Sequence, residues 1–181
     1  MKVPSSRRRF LCHAVSLAAG GLALPVAARA ELAGVRSLAF AHTHTGERIE
    51  TVYALGDSYR PEALQALNRF LRDHYTGRIG VIDPPLFDQL HAVQSLLGHD
   101  GRYEVISGYR CDETNERLRL TGGGGVARRS LHMEGRAIDV RLPGVPLDEL
   151  RDAALELRAG GVGYYLDEQF VHLDTGRVRR W

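Results

Sequence analysis

Cysteine and lysine are almost missing from this chain of 181 residues: Cys12 and Cys111 are its only cysteines and Lys2 its only lysine. Two cysteines, one of them inside an apolar leader, exclude both a cysteine-rich structural zinc site and a disulfide framework. With no lysine after residue 2, arginine is the sole permanent cation of the remaining chain. Long apolar runs are missing too. The longest, Phe10 to Ala27, is broken by Gly20 and Gly21 and falls short of the ~20 apolar residues that a spanning helix needs. The run Gly122–Gly125 lacks a following Lys-Ser/Thr pair, which excludes a phosphate-binding loop.

What the leader does contain is an address. Ser6-Arg7-Arg8-Arg9-Phe10-Leu11 reads as a twin-arginine signal, and Ala28-Arg29-Ala30 closes the apolar run with small residues suited to cleavage. Residues 1–30 are therefore expected to be a twin-arginine signal peptide, leaving a single domain, 31–181, in the periplasm without stable membrane insertion. The leader carries five basic groups and no acidic one, so a formal charge of +2 for the whole chain becomes −3 without it. Nucleic-acid binding thereby loses its electrostatic basis.

The domain reads as α+β. Val35–Ala41 and Arg48–Ala54 alternate as a hairpin around Thr45-Gly46. Pro61 opens a helix with Leu64, Leu67 and Leu71 on one face, and a second follows from Pro85 with Leu86, Leu90, Val93 and Leu97. Short strands are expected over Tyr103–Ser107 and Ala137–Leu142, with a helix between Asp112 and Leu120. A further amphipathic helix carries Leu147, Leu150, Ala154 and Leu157, and Gly160-Gly161 ends it before strands Val162–Tyr165 and Phe170–Asp174. This order implies a mainly antiparallel sheet flanked by helices.

Chemistry concentrates in two stretches. Ser130-Leu131-His132-Met133-Glu134-Gly135-Arg136-Ala137-Ile138-Asp139 and Phe170-Val171-His172-Leu173-Asp174 together offer two imidazoles and a carboxylate. Three such ligands, with a fourth position left to water, suit a catalytic zinc. Asp139 lies amid Ala137, Ile138 and Val140, and an acid in an apolar strand needs a cation or a metal beside it. The other histidines receive no role. His42 and His44 could chelate at a spacing of two but fall at the hairpin turn, His74 and His91 read as surface positions on helices, and His99 stands alone.

The motifs Ser107-Gly108-Tyr109-Arg110, Ser-x-His-x-x-Gly-x-Ala-x-Asp at 130–139, and Gly160-Gly161-Val162-Gly163-Tyr164-Tyr165 with Phe-Val-His-x-Asp-Thr-Gly at 170–176 resemble the zinc D-Ala-D-Ala peptidase and Hedgehog-type superfamily. Within it the chain is most similar to the murein endopeptidase K-like branch, from about Val35 to Trp181. The resemblance implies a Hedgehog/D-Ala-D-Ala peptidase-like fold with one Zn2+ per chain, held by His132, Asp139 and His172. It also implies peptidoglycan stem peptides and cross-links as substrate, with Arg110 holding a carboxylate or the developing oxyanion. An ion pair of Arg110 with Asp112 or Glu113 is the competing use.

Ser130 and Tyr165 join Arg110 as expected substrate-binding residues, with Tyr164 packing inward. Where the carboxypeptidase branch has an acid three residues before its last histidine, this chain has Gln169. Asp174 is taken as the general base in its stead, because a strand's period of two puts it on the face of His172. The other use of Asp174 is to orient a ligand, while Asp167 and Glu168 lie in a turn. Arg128 and Arg129 could contact acidic stems or form a solvated pair. Gly122–Gly125 is read as a mobile lip beside the site, and Trp181 as a cap on the core rather than a surface for sugar. The expected activity is that of a monomeric murein endopeptidase; a D,D-carboxypeptidase or a non-catalytic, zinc-stabilised peptidoglycan binder are the alternatives. Which cross-link is cut, 3–3 or 4–3, is left open.

Overall fold

The computed structural model describes residues 34–121 and 126–181. The signal-peptide reading and the lip at Gly122–Gly125 fall outside them. Eight strands form one sheet in the order β3-β2-β1-β4-β5-β7-β6-β8. β1 (Val35–His42) and β2 (Arg48–Leu55) make the expected hairpin, and β3 (Ser58–Tyr59) adds a short edge. The others are β4 (Tyr103–Ser107), β5 (Ala137–Arg141), β6 (Gly161–Tyr165), β7 (Phe170–Asp174) and β8 (Arg179–Arg180).

Among the described residues, four helices accompany the sheet: α1 (Pro61–Phe70), α2 (Pro84–Leu97), α3 (Asp112–Thr121) and α4 (Leu147–Leu157). Proline stands in the first turn of both α1 and α2, where its missing N–H costs nothing. Gly98 ends α2 in the left-handed conformation. α1 packs on β2, α2 on β1 and on α4, and α4 on β6 and β7. Their apolar faces (Leu67, Phe70, Leu86, Leu90, Val93, Leu150) meet Leu38, Phe40, Tyr53, Val105, Ile138, Val140, Val171 and Leu173 in one core. Each fully buried large side chain of this kind contributes about 1.5–3 kcal/mol.

The expected mainly antiparallel sheet is a mixed one. β1 runs parallel to β4, and β6 parallel to β8. The reason lies in the connections: β1 and β4 are joined through β2, β3 and two helices, a crossover that returns the chain in the same direction, which a tight hairpin cannot do. The two-residue strands β3 and β8 were too short to carry a periodic signal.

Because strand side chains alternate, the core residues Ile138, Val140, Val171 and Leu173 turn their neighbours Asp139, His172 and Asp174 to the opposite face of the sheet. The functional side chains therefore sit on the face away from the core they are built upon.

Candidate metal centre and cleft

Ladder register places the central residues side by side. Ser107 of β4 pairs with Asp139 of β5, and Asp139 pairs with His172 of β7. His132 comes from a short 3-10 turn, Leu131–Glu134, which the Ser130 hydroxyl caps by accepting from the His132 N–H. Gly135 closes that turn at φ +67, with a Cβ built there falling 1.9 Å from the Val81 carbonyl oxygen. Only glycine meets both demands, so the ligand turn is seated directly on the 81–82 backbone.

Three atoms converge. His172 Nδ1 lies 2.8 Å from Asp139 Oδ1 and 3.2 Å from His132 Nε2, and His132 Nε2 lies 3.3 Å from Asp139 Oδ1. Ligands about 2.0–2.1 Å from a tetrahedral zinc would stand roughly 3.3 Å from one another, close to these separations. The outer hydrogen bonds fix both rings. His132 Nδ1 faces the Gly108 carbonyl at 2.7 Å and must donate to it, while His172 Nε2 faces Asp174 Oδ2 at 3.1 Å and donates likewise. With both neutral, the remaining ring nitrogens and Asp139 Oδ1 are three acceptors facing one another. Such an arrangement calls for a cation, and this donor set suits a zinc ion. Among the described residues this is the one group of three or more His, Cys, Asp or Glu residues with ligand atoms so close together.

Charge and burial act together here. Burial lowers the His132 pKa, against the opposing pull of Asp139. Burial would raise Asp139, but His132 and Arg110 hold its carboxyl well below the usual range. Burial would lower His172 as well, yet hydrogen bonds to Asp139 and Asp174 raise it.

Arg110 does not pair with Asp112 or Glu113. Its Nη2 donates to Asp139 Oδ2 and its Nε to Ser107 Oγ at 2.8 Å. Nη1 makes no hydrogen bond to any described residue, and Arg110 lines the cleft in front of the ligands. The cleft measures about 390 Å³ and is also walled by Arg129, Ser130, Tyr165, Glu168, Phe170 and Trp181. Tyr164, in contrast to Ser130 and Tyr165, packs against the core and under Arg151.

Asp174, expected as the base, is fully buried and lies outside the cleft wall. Oδ1 accepts from the Gly161 and Gly176 N–H groups and from Arg179, and Oδ2 accepts from His172 and Arg179. Those bonds hold it ionised, its pKa far down, behind His172. Gln169 occupies the hairpin turn at φ +58, bonded to the Leu166 carbonyl. Trp181 is no core cap. It is half exposed, its Nε1 donates to the Tyr165 hydroxyl at 2.9 Å, and its ring stands 5.2 Å from that of His172. A lone tryptophan beside three arginines gave no sign of this.

His74 was misread as helical. It lies in the loop after α1, stacked on His44 at 4.2 Å and edge-on to His42 at 5.3 Å. His42 is the last residue of β1, on the same face as Leu38 and Phe40 and only 2% exposed.

Comparison with known proteins agrees with the geometry. Residues 30–181 match the family described as peptidoglycan L,D-endopeptidase MepK. The chain is 43% identical over 181 residues to the peptidoglycan L,D-endopeptidase MepK of Escherichia coli K12, covering 99% of both chains, and equally to that of Shigella flexneri. A Haemophilus influenzae relative is 42% identical over 147 residues, 81% of this chain and 78% of its own. No solved structure gives a significant match.

Proposed function

Since the chain belongs to the MepK family of peptidoglycan endopeptidases, we propose that it is a periplasmic, zinc-dependent endopeptidase that hydrolyses peptide cross-links of peptidoglycan. The L,D designation of its relatives favours a bond joining an L to a D centre, as in a 3–3 link, over the D,D bond of a 4–3 link. The observation that carries the zinc assignment is the set of three facing acceptors, His132 Nε2, Asp139 Oδ1 and His172 Nδ1, with both rings oriented from behind. Export through the twin-arginine route fits the signal at Arg7-Arg8-Arg9 and a chain that takes up its metal on folding.

A zinc ion held by these residues would polarise the scissile carbonyl and lower the pKa of water towards about 7. The chain's own groups do the rest. Arg110, fixed by Asp139 and Ser107, offers Nη1 to the carbonyl oxygen as negative charge develops there. Glu168 is the cleft carboxylate that neither serves as ligand nor pairs with a cation among the described residues. It takes the proton of the attacking water at a carboxylate oxygen and passes it to the leaving amine. Asp174 positions His172 and does not touch the reacting atoms. Tyr165 and Trp181, linked by their hydrogen bond, form a wall against which the stem peptide lies.

Digestion of purified cross-linked muropeptides by the zinc-loaded protein lacking residues 1–30 tests this, with product masses identifying the bond. Dimers should fall to monomers with wild type and stay intact with His132→Ala. Intact dimers with a zinc-loaded wild type would instead favour a non-catalytic binder, and loss of terminal D-alanine alone a carboxypeptidase.

A further inference from the structure

Three arginines line the cleft, and two of them already hold a carboxylate of the protein. Arg110 is held by Asp139 and Ser107, and Arg179 gives both terminal nitrogens to Asp174. Arg129 is different. It is exposed, lines the cleft, and has no carboxylate or other hydrogen-bond partner among the described residues.

Nor is it carried on a loose end. The preceding backbone is pinned where the buried Asn115 of α3 donates from Nδ2 to the Ala127 carbonyl at 3.1 Å. The following residue, Ser130, is buried and caps the turn that bears His132. Only Ser130 and Leu131 lie between Arg129 and His132, so the Cα atoms of Arg129 and His132 are at most ~11 Å apart, and both residues line the same cleft.

An uncompensated guanidinium in that cleft is a receptor for an anion, and its planar fork is matched to a carboxylate. The proposed substrate supplies one in the right place. When the amine of a cross-link belongs to the D centre of a diamino acid, the carboxylate of that same carbon stays free, next to the scissile nitrogen. We propose that Arg129 is a specificity-determining residue that binds this free carboxylate on the leaving-amine side, so that the enzyme selects cross-links whose D-centre carboxylate is ionised over those in which it is amidated. The proposal rests on the peptidoglycan endopeptidase reading and names the group by which that site recognises its substrate.

The experiment compares kcat/KM of the zinc-loaded enzyme on two muropeptide dimers, one with the D-centre carboxylate free and one with it converted to the amide, for wild type, Arg129→Gln and Arg129→Lys. Wild type should prefer the free acid by about 10–100-fold, as expected for a charge-assisted bond made to one substrate only. In Arg129→Gln the preference should collapse through a raised KM for the acid, with kcat nearly kept and the amide cleaved as before. Arg129→Lys should retain part of it. All three should melt alike, because Arg129 has no partner among the described residues to lose. Equal cleavage of acid and amide by wild type, or a preference surviving in Arg129→Gln, would overturn the proposal while leaving the endopeptidase reading intact. Absence of cleavage of either dimer by wild type would overturn both.

Discussion

At the scale of single residues, Asp174 and Glu168 separate two kinds of importance. Asp174 spends its oxygens on Gly161, Gly176, Arg179 and His172, so Asp174→Asn keeps the shape but weakens the hold on the His172 N–H. Zinc affinity should fall about 10–100-fold, as for other residues that orient a metal-bound histidine. Glu168 touches no ligand, so Glu168→Gln should leave zinc affinity unchanged and cut kcat by about 10²–10⁴-fold. Zinc titration against a competing chelator, beside kcat, checks both; a Glu168→Gln enzyme with full kcat would remove Glu168 from the mechanism. His132, Asp139 and His172 could be picked out from the sequence because Asp139 is an acid among apolar strand residues and because their motifs resemble those of the zinc peptidase superfamily; the β5–β7 ladder that sets His172 beside Asp139 could not. The partner of Arg110 was not legible. It is Asp139, 29 residues away, and only the β4–β5 pairing brings the two together.

At the scale of elements, the site depends on ladder register and on one turn. A shift of β7 by one residue against β5 would turn His172 into the core and Val171 or Leu173 into the cleft. The ligand turn is held by Gly135, whose φ of +67 and contact with Val81 admit no side chain. Gly135→Ala should therefore lower stability by at least about 2 kcal/mol and reduce zinc occupancy together with it, as read by urea unfolding and metal analysis. Loss of neither would show that the 81–82 backbone yields. Helices α1, α2 and α4 and the strands of five or more residues were readable from periodicity, because burial of one face imposes it. β3, β8 and the parallel pairing of β1 with β4 were not, since they follow from where the chain returns in space.

At the scale of the whole molecule, acid should destabilise the fold through histidines that do not belong to the His132–Asp139–His172 group. Burial, with His74 and His44 nearby, lowers His42 from 6.5 to about 4, and burial with His44 lowers His74 to about 4. Above pH ~6.5 these rings are neutral folded or unfolded, and cost nothing. Between about pH 6.5 and 4 the unfolded chain binds protons that the folded one refuses, so stability declines as pH falls. The thermal midpoint should drop across that window, and drop less in a His42→Gln/His74→Gln double variant. An unchanged pH slope in the double variant would assign the acid sensitivity to other groups.

The parallel ladder between β1 and β4 spans only Phe40 to His42 against Tyr103 to Val105, and His132, Asp139 and His172 lie beyond it, on the β4–β5–β7–β6–β8 side. It is a seam between two unequal panels. Zinc would rivet the larger panel across β5 and β7 and leave the β3–β2–β1 panel to open by itself. In hydrogen exchange, metal loading should slow the amides of β5 and β7 far more than those of β1 and β2. Under load or mild denaturant the hairpin panel should peel away first, with the cleft still assembled behind it.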